Sequence, residues 1–279
     1  MSQGYSIYMN SIRLLALDLD DTLLRSDQSI SYRTKNVIKK AESAGVTIAL
    51  ASSHVPLAME KFSRALGLNK KPGFLISNNG ALVLESNTGK ITYEIKIEAH
   101  IALTVCDLAD AEGFPVQLYK DDTMFVSREN EYTGYDYKLT GLRQVVVDKF
   151  RDMIKQGCYQ LLIPGDPMLL EPLESLLRTY LENDISLVSK NQYTLEILPP
   201  ETNKGNSLAK VAEYLGIKSE ETMAIGDSMN DEAMIIWAGL GVCMSNGDER
   251  VKKAANLISD YSNDDDGVAD IIDRYILGK

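Results

Sequence analysis

A short apolar segment that ends in closely spaced carboxylates constrains this chain more than any other feature. Residues 14–17 read Leu-Leu-Ala-Leu, and Asp18, Asp20 and Asp21 follow directly. A strand that is apolar at every position is buried on both faces, as in a parallel sheet. Ligands of open parallel sheets bind beyond the carboxyl ends of the strands. The segment therefore predicts an open α/β sheet with acidic side chains at its ligand crevice.

Length and composition narrow the class of protein. The chain has 279 residues, of which 44% are hydrophobic, so it can form one large or two ordinary domains. Its net charge of −11 argues against non-specific nucleic-acid binding, which requires clustered cations. A small phosphorylated ligand is compatible with this charge, because its site needs only a local cation. No apolar run approaches a membrane span and no signal peptide is evident, so we expect a cytoplasmic protein without membrane association.

The order of the predicted elements indicates a divided core. Up to residue 82 the pattern alternates strand, helix, strand, helix and strand, and the same α/β alternation returns near Lys204. The intervening segment contains hairpin signals and no repeated βαβ unit. We therefore predict a core formed by residues 1–82 and 195–279, a parallel sheet with helices on both faces. Residues 83–194 form an inserted α+β domain.

The first acidic cluster has the ligands of a magnesium site. Asp18 and Asp20 are two residues apart, so on an extended strand their side chains share a face. Beyond the strand end, the backbone carbonyl of Asp20 can also turn inward. Magnesium prefers hard oxygen ligands and binds through one or two carboxylates. A pair of solvated acids at a strand-to-helix turn explains the same residues equally well.

A second acidic cluster follows another apolar strand. Asp227 ends the segment Ala224-Ile225-Gly226, and Asn230 and Asp231 follow at the predicted start of a helix. Helix capping alone accounts for one such residue but not for the whole Gly-Asp-x-x-Asn-Asp sequence. Two acidic strand ends in one parallel sheet are expected to converge on one crevice.

Between these clusters lie candidate phosphate ligands. Ser52 and Ser53 follow a buried strand and precede a helix, where hydroxyls and backbone N–H groups form an anion site. Lys204 precedes a predicted helix, Gly205–Leu215, and a helix N-terminus is unfavourable for a cation unless an anion lies nearby. A serine helix cap and an exposed lysine are the plain structural alternatives for these positions.

Taken in order, these pieces resemble the haloacid dehalogenase (HAD) superfamily of phosphatases, and more narrowly its Cof-like subfamily with a C2-type cap. The resemblance rests on Asp18-Leu19-Asp20-Asp21-Thr22, Ser52, Lys204 and Gly226-Asp227-Ser228-Met229-Asn230-Asp231. It implies a Rossmann-like core, with the large insert serving as the cap domain.

The resemblance also implies a role for each site residue. Asp18 is expected to attack a phosphate monoester and form an aspartyl-phosphate, and Asp20 to protonate the leaving oxygen and later activate water. Mg²⁺ is expected to be held by Asp18, the Asp20 carbonyl and Asp227. The expected phosphate ligands are Ser52, Lys204, Asn230 and the backbone N–H groups of Asp21 and Ser53. Asp231 is expected to support the metal shell and to orient Lys204.

One position departs from the family pattern. Relatives usually read Thr-Gly-Arg after the second strand, whereas this chain reads Ser52-Ser53-His54. A fixed cation is thereby replaced by a histidine, a residue that is mostly neutral at pH 7 unless an anion lies near it. We expect either a changed leaving-group preference or better activity at slightly acidic pH. A helix-start histidine without a role is the alternative.

The predicted function is therefore a magnesium-dependent phosphatase acting on small phosphorylated metabolites such as sugar phosphates. A phosphomutase, and a phosphometabolite-binding protein with little turnover, remain as alternatives. A metal-dependent glycosyltransferase uses an Asp-x-Asp motif but leaves residues 226–231 unexplained. We expect a monomer or a homodimer.

Overall fold

The computed structural model describes residues 12–121, 123–134 and 143–279, except for the side chains of residues 189–191. The strands, in chain order, are β1 (Leu14–Asp18), β2 (Thr47–Ala51), β3 (Phe74–Ser77), β4 (Leu82–Glu85), β5 (Ile91–Glu94), β6 (Gln117–Lys120), β7 (Thr123–Val126), β8 (Arg143–Val146), β9 (Leu161–Pro164), β10 (Ser186–Asn191), β11 (Thr194–Leu198), β12 (Thr222–Gly226), β13 (Leu240–Cys243) and β14 (Leu257–Ile258). The helices are α1 (Tyr32–Ser43), α2 (Pro56–Leu66), α3 (Ala99–Ala111), α4 (Phe150–Met153), α5 (Pro167–Leu181), α6 (Lys204–Leu215), α7 (Glu232–Trp237), α8 (Glu249–Ala254) and α9 (Gly267–Tyr275).

The first unit is built on an eight-stranded sheet with the order β14-β13-β12-β1-β2-β3-β4-β5. The strands from β14 to β3 run parallel, and β4 is antiparallel to β3. The predicted parallel α/β sheet is confirmed. Its central strand is β1, which lies between β2 and β12 and carries the first acidic cluster at its end.

The two faces of this sheet are covered by separate hydrophobic clusters. Leu15 and Leu17 of β1 pack into one cluster, and Leu14 and Ala16 pack into the other. All four side chains are fully buried. Alternate residues of a strand point to opposite faces, so this continuous apolar run is the consequence of helices that cover both faces.

The second unit has its own sheet, in the order β10-β11-β9-β6-β7-β8. Most neighbours in this sheet are antiparallel, and β7 and β8 are parallel. Its hydrophobic cluster joins α3 and α5 to the sheet through side chains such as Val105, Leu173 and Ile197. This unit is an α+β domain with its own core.

The division between the units differs in position from the predicted one. The first unit runs to Tyr93 and resumes at Asn203, and the second spans Glu94–Thr202. The predicted boundaries were 82/83 and 194/195. The hairpin strands β4 and β5 extend the first sheet, whereas β11 pairs with β9 and β10 in the second. Backbone pairing therefore assigns each of these segments to the neighbouring unit.

Two further features concern the whole described chain. Cys106, Cys158 and Cys243 are buried free thiols, and burial raises their pKa to about 12, 12 and 11 respectively. Within the described ranges, no helix combines the length and the apolar composition needed to cross a membrane.

Candidate active site

The register of the central strands brings the predicted site residues to one edge of the first sheet. Asp18 pairs with Ala51 of β2, and Leu17 pairs with Ile225 of β12. The residues that follow β1, β2 and β12 therefore leave the sheet at the same edge. The predicted convergence of the two acidic strand ends is present in the structure.

The loop after β1 has an irregular backbone. Asp20 is extended, with φ −69° and ψ 135°, and Asp21 has a positive φ of 55°. Aspartate is among the few non-glycine residues that tolerate this conformation. The Asn246 amide Nδ2 donates to the Asp21 carbonyl at 2.8 Å, which holds the turn in place. The loop consequently presents Asp20 away from the line of the strand.

Lys204 is the centre of a buried ion-pair cluster. Its Nζ lies 2.6 Å from Asp18 Oδ1 and 2.6 Å from Asp231 Oδ1. The lysine side chain is 1% exposed and those of Asp18 and Asp231 are 7% and 0% exposed. Asn203 caps α6 by accepting from the Asn206 N–H, so the helix begins at the lysine and directs it at the two carboxylates.

Asp231 contacts both Lys204 and the loop that follows β12. Its Oδ2 accepts hydrogen bonds from the backbone N–H groups of Asp227 and Ser228, at 3.0 and 3.1 Å. The Thr22 hydroxyl donates to Asp227 Oδ1 at 2.8 Å. The loops after β1 and β12 are therefore linked by a direct hydrogen bond at the site.

The cluster carries an excess of negative charge. Burial, together with the nearby charge of Asp231, raises the pKa of Asp18 well above its usual value, although Lys204 opposes this shift. Burial alone would lower the pKa of Lys204, but the charges of Asp18 and Asp231 outweigh it and raise that pKa. The lysine therefore stays protonated, and within the described ranges it is the one cation that pairs with these carboxylates.

Asp227 also lies in a negatively charged, partly buried environment. Burial, followed by the charge of Asp231, raises its pKa to about 7, against the lowering effect of the Thr22 hydrogen bond. Near neutral pH this carboxyl is only partly ionised. Such a shift reverses when a cation binds beside the group, because an opposite charge favours the ionised form.

The donor set fits a divalent cation. Asp18, Asp227 and Asp231 each provide a carboxylate oxygen, and these oxygens lie within 4.8 Å of one another. Carboxylate oxygens are the ligands that magnesium prefers. Asp231 uses one oxygen for Lys204 and the other for two backbone N–H groups. That leaves Asp18 and Asp227 as the better side-chain candidates for a metal.

Asn230 is fixed by two neighbours. Its Nδ2 donates to Asn79 Oδ1 at 3.0 Å, and its Oδ1 accepts from the Ser228 hydroxyl at 2.7 Å. Asn79 has a positive φ of 52° in the turn after β3. An amide nitrogen has two hydrogens, so Asn230 can make one further hydrogen bond to a ligand.

The segment after β2 also lies at this edge of the sheet. Ser52 is buried, and its Oγ accepts from the His54 N–H at 3.1 Å. The serine hydroxyl keeps its own hydrogen for a ligand. Ser53 is partly exposed. His54 Nε2 lies 2.7 Å from Asp20 Oδ2, so the position that departs from the family pattern contacts the predicted acid–base residue.

Several residues at the site were not predicted from the sequence. They are Thr22, Gln28, Asn79 and Asn246, which hydrogen-bond to Asp227, Asp20, Asn230 and the Asp21 carbonyl. Two signals were available. Thr22 belongs to the motif of residues 18–22, and Asn79 belongs to the turn sequence Asn78-Asn79-Gly80, in which asparagine and glycine favour positive φ. Gln28 and Asn246 lie outside the predicted motifs.

Comparison with known proteins identifies the family. A sequence model of the haloacid dehalogenase-like hydrolases matches residues 15–272. A Bacillus subtilis protein named 5-amino-6-(5-phospho-D-ribitylamino)uracil phosphatase YcsE is 31% identical over 267 residues, 95% of this chain and 96% of that protein. Phosphatase YwpJ of the same organism is 26% identical, over 92% of this chain and 98% of the relative.

A solved structure agrees with these matches. A haloacid dehalogenase-like hydrolase from Bacteroides thetaiotaomicron superposes with a TM-score of 0.88 at 31% identity, covering 94% of this chain and 99% of that one. The fold and the relatives are those of a phosphatase, the enzyme class predicted from the sequence. The chain belongs to the haloacid dehalogenase-like hydrolases.

Proposed function

We propose that this protein is a magnesium-dependent phosphatase that hydrolyses phosphate monoesters of small metabolites. The observation that carries the proposal is the buried cluster of Asp18, Asp227, Asp231 and Lys204. It combines a candidate nucleophile, Asp18, with a fixed cation, Lys204, and it contains three carboxyl groups for that one cation. That combination suits a site that takes up a metal cation and a phosphoryl group together.

Asp18 attacks the phosphorus in this proposal and forms an aspartyl-phosphate, which divides one difficult displacement into two easier ones. Lys204 holds one Asp18 oxygen at 2.6 Å and limits the directions from which the other can attack. The Lys204 charge also stabilises charge on the phosphoryl oxygens. Asp231 keeps the lysine in that position through its own 2.6 Å contact.

Asp20 protonates the leaving oxygen and then takes a proton from the attacking water. Ser52, Asn230 and the backbone N–H groups of Asp21 and Ser53 bind the phosphoryl oxygens. Magnesium, held by Asp18, Asp227 and the Asp20 carbonyl, would supply charge neutralisation between the anionic nucleophile and the anionic phosphate. By the resemblance to the family, residues 94–202 correspond to the inserted cap domain.

The substrate class follows from size and charge. The named relative YcsE acts on a phosphorylated ribitylaminouracil, a small metabolite. This chain has a net charge of −11, which disfavours polyanionic macromolecules as substrates. We propose sugar phosphates and comparable metabolites as the class to screen.

The decisive experiment measures release of inorganic phosphate by the purified full-length protein with Mg²⁺. The substrates are p-nitrophenyl phosphate and a panel of sugar phosphates, nucleotides and cofactor phosphates. Asp18→Asn should reduce release by more than about 10³-fold, since it removes the nucleophile while the positioning groups stay. Asp184→Asn, at an exposed carboxylate, is the matched control and should keep full activity.

Other outcomes would identify the alternatives. Interconversion of two sugar phosphates with little phosphate release would favour a phosphomutase. Tight binding of a phosphometabolite in magnesium without release would favour a binding protein. Full activity of Asp18→Asn would refute the assigned nucleophile.

A further inference from the structure

His54 is held rigidly by its own backbone. Its N–H donates to Ser52 Oγ at 3.1 Å, and its carbonyl accepts from the Asn78 N–H at 3.0 Å. It lies just before Val55, the residue that precedes α2. The imidazole side chain is 21% exposed. These two hydrogen bonds fix the backbone of His54 in the turn between β2 and α2.

The ring is aimed at the carboxyl group of Asp20. Nε2 lies 2.7 Å from Asp20 Oδ2. When Asp20 is ionised its oxygens can only accept, so Nε2 carries the shared hydrogen, and in the acid step the other oxygen, Oδ1, carries the proton that is transferred. Gln28 Nε2 approaches the other oxygen, Oδ1, at 3.4 Å. The Asp20 side chain is 44% exposed. Of its two contacts, the one from His54 is short and the one from Gln28 is long.

These contacts matter because Asp20 lies on an irregular loop. A half-exposed side chain on such a loop samples several rotamers, and fixing it costs conformational entropy. The short contact from His54 therefore restricts the carboxyl group more than the long contact from Gln28 does.

We infer that His54 is a positioning residue that holds the Asp20 carboxyl group in line with the leaving oxygen of the substrate. The inference rests on the proposed function, in which Asp20 transfers a proton to that oxygen. An error of about 1 Å in the position of a catalytic group costs about 100-fold in rate.

The inference has a specific kinetic consequence. A substrate whose leaving group is a weak acid depends on proton donation, whereas a substrate with an acidic leaving group departs without much help. Phenyl phosphate and p-nitrophenyl phosphate form a matched pair, since phenol is a weaker acid than 4-nitrophenol. Loss of the contact should harm phenyl phosphate hydrolysis selectively. A general weakening of the fold or of phosphate binding would harm both substrates alike.

The test compares kcat/KM for both substrates in the full-length protein. We expect His54→Leu to reduce phenyl phosphate hydrolysis by about 10–100-fold and p-nitrophenyl phosphate hydrolysis by less than about 3-fold. His54→Gln places an amide N–H near the position of Nε2 and should restore most of the difference. His54→Asn is too short to reach Asp20 and should behave like leucine. His100→Leu, at an exposed histidine, is the matched control.

A double-mutant cycle completes the experiment. In an Asp20→Asn background, His54→Leu should change neither substrate further, because residues that act through one group are not additive. Equal losses for both substrates, or an additive loss in that background, would overturn the inference while leaving the phosphatase assignment intact. Thermal unfolding of each variant identifies a folding defect. Absence of activity in the wild-type protein would instead overturn the proposed function.

Discussion

Lys204 Nζ lies 2.6 Å from Asp18 Oδ1, and the side chains of both residues are almost completely buried. Charged groups at such depth are stable only when they are paired. Because Lys204 also contacts Asp231 at 2.6 Å, one ammonium group serves two carboxylates. The stability of the core and the chemistry of the site therefore depend on the same lysine.

Replacement of Lys204 by methionine should impair both properties. Breaking a buried ion pair leaves charge without a partner, at a cost of about 3–5 kcal/mol in unfolding free energy. The loss should be smaller near pH 5 than at pH 7, since burial raises the pKa of Asp18 and removal of the lysine raises it further, so that this carboxyl takes up a proton. Urea unfolding at the two pH values measures this effect, and kcat/KM should fall by about 10²–10³-fold at pH 7.

Lys210→Met is the matched control for that prediction. Lys210 lies on the same helix but pairs with Glu213 at the surface, with 52% of its side chain exposed. Surface substitutions of this kind change stability by less than about 0.5 kcal/mol. An equal loss of unfolding free energy in both variants would mean that the buried ion pairs of Lys204 contribute no more to stability than a surface pair.

Asp227 should make the metal-free protein less stable as the pH rises from about 4 to 7. The pKa of Asp227 is raised from 3.8 to about 7 in the folded protein. The unfolded chain therefore releases this proton at a lower pH than the folded protein does. Stability linked to Asp227 is fully present below the unfolded pKa and is lost as pH approaches the folded pKa. In metal-free buffer at pH 7.5, Asp227→Asn should therefore be more stable than the wild type, and the gap should close near pH 4.5.

Magnesium should reverse the order of stability, so that the wild type becomes more stable than Asp227→Asn. It favours the ionised carboxylate, so the rise in melting temperature on adding Mg²⁺ should grow between pH 5 and 7.5 in the wild type. Asp227→Asn should show little rise at any pH. A magnesium-induced rise of wild-type size in the variant would exclude Asp227 as a ligand.

Asp231→Asn should behave differently from Asp227→Asn. Asp231 accepts from Lys204 and from the N–H groups of Asp227 and Ser228. An asparagine presents an N–H₂ group to one of these donors and leaves it unsatisfied, at a cost of about 1–3 kcal/mol. We expect a lower melting temperature with and without Mg²⁺, measured by scanning calorimetry. Stabilisation in metal-free buffer, as expected for Asp227→Asn, would contradict this role.

The acidic strand ends and the main secondary-structure elements could be predicted from local sequence. Apolar runs and their terminal acids are adjacent in the chain, so β1 and β12 could be predicted without knowledge of distant contacts. The hairpin of β4 and β5 was also predicted, but its membership of the first sheet was not. Which sheet a hairpin extends depends on pairing with a strand elsewhere, here β3.

Other features depend on long-range contacts that local patterns do not encode. The strand Arg143–Val146 and the short helix Phe150–Met153 were not predicted, since both are short and mixed in polarity. His54 was identified as a departure from the family pattern, but its contact with Asp20 joins residues 34 positions apart. Whether a histidine reaches an acid is decided by two loop conformations together.

Gly226→Ala should disturb the site through Asp231, which provides the three atoms nearest to an added Cβ. A Cβ atom at Gly226 would lie 2.5 Å from Asp231 Cβ and 2.7 Å from Asp231 Oδ2. Asp231 is fully buried and its carboxylate is held by Lys204 and two backbone N–H groups, so it cannot move aside freely. Overpacking of a buried site costs about 1–3 kcal/mol, and displacement of Asp231 also shifts Lys204 away from Asp18.

In Gly226→Ala, the unfolding free energy measured in urea and the rate of phosphate release should therefore both decrease. The value of kcat should fall at least about 10-fold, because the lysine and the nucleophile lose their alignment. Gly134→Ala is the control, since a Cβ there would meet open space. A Gly226→Ala variant with wild-type kcat and a lower unfolding free energy would show that Lys204 keeps its position without Asp231.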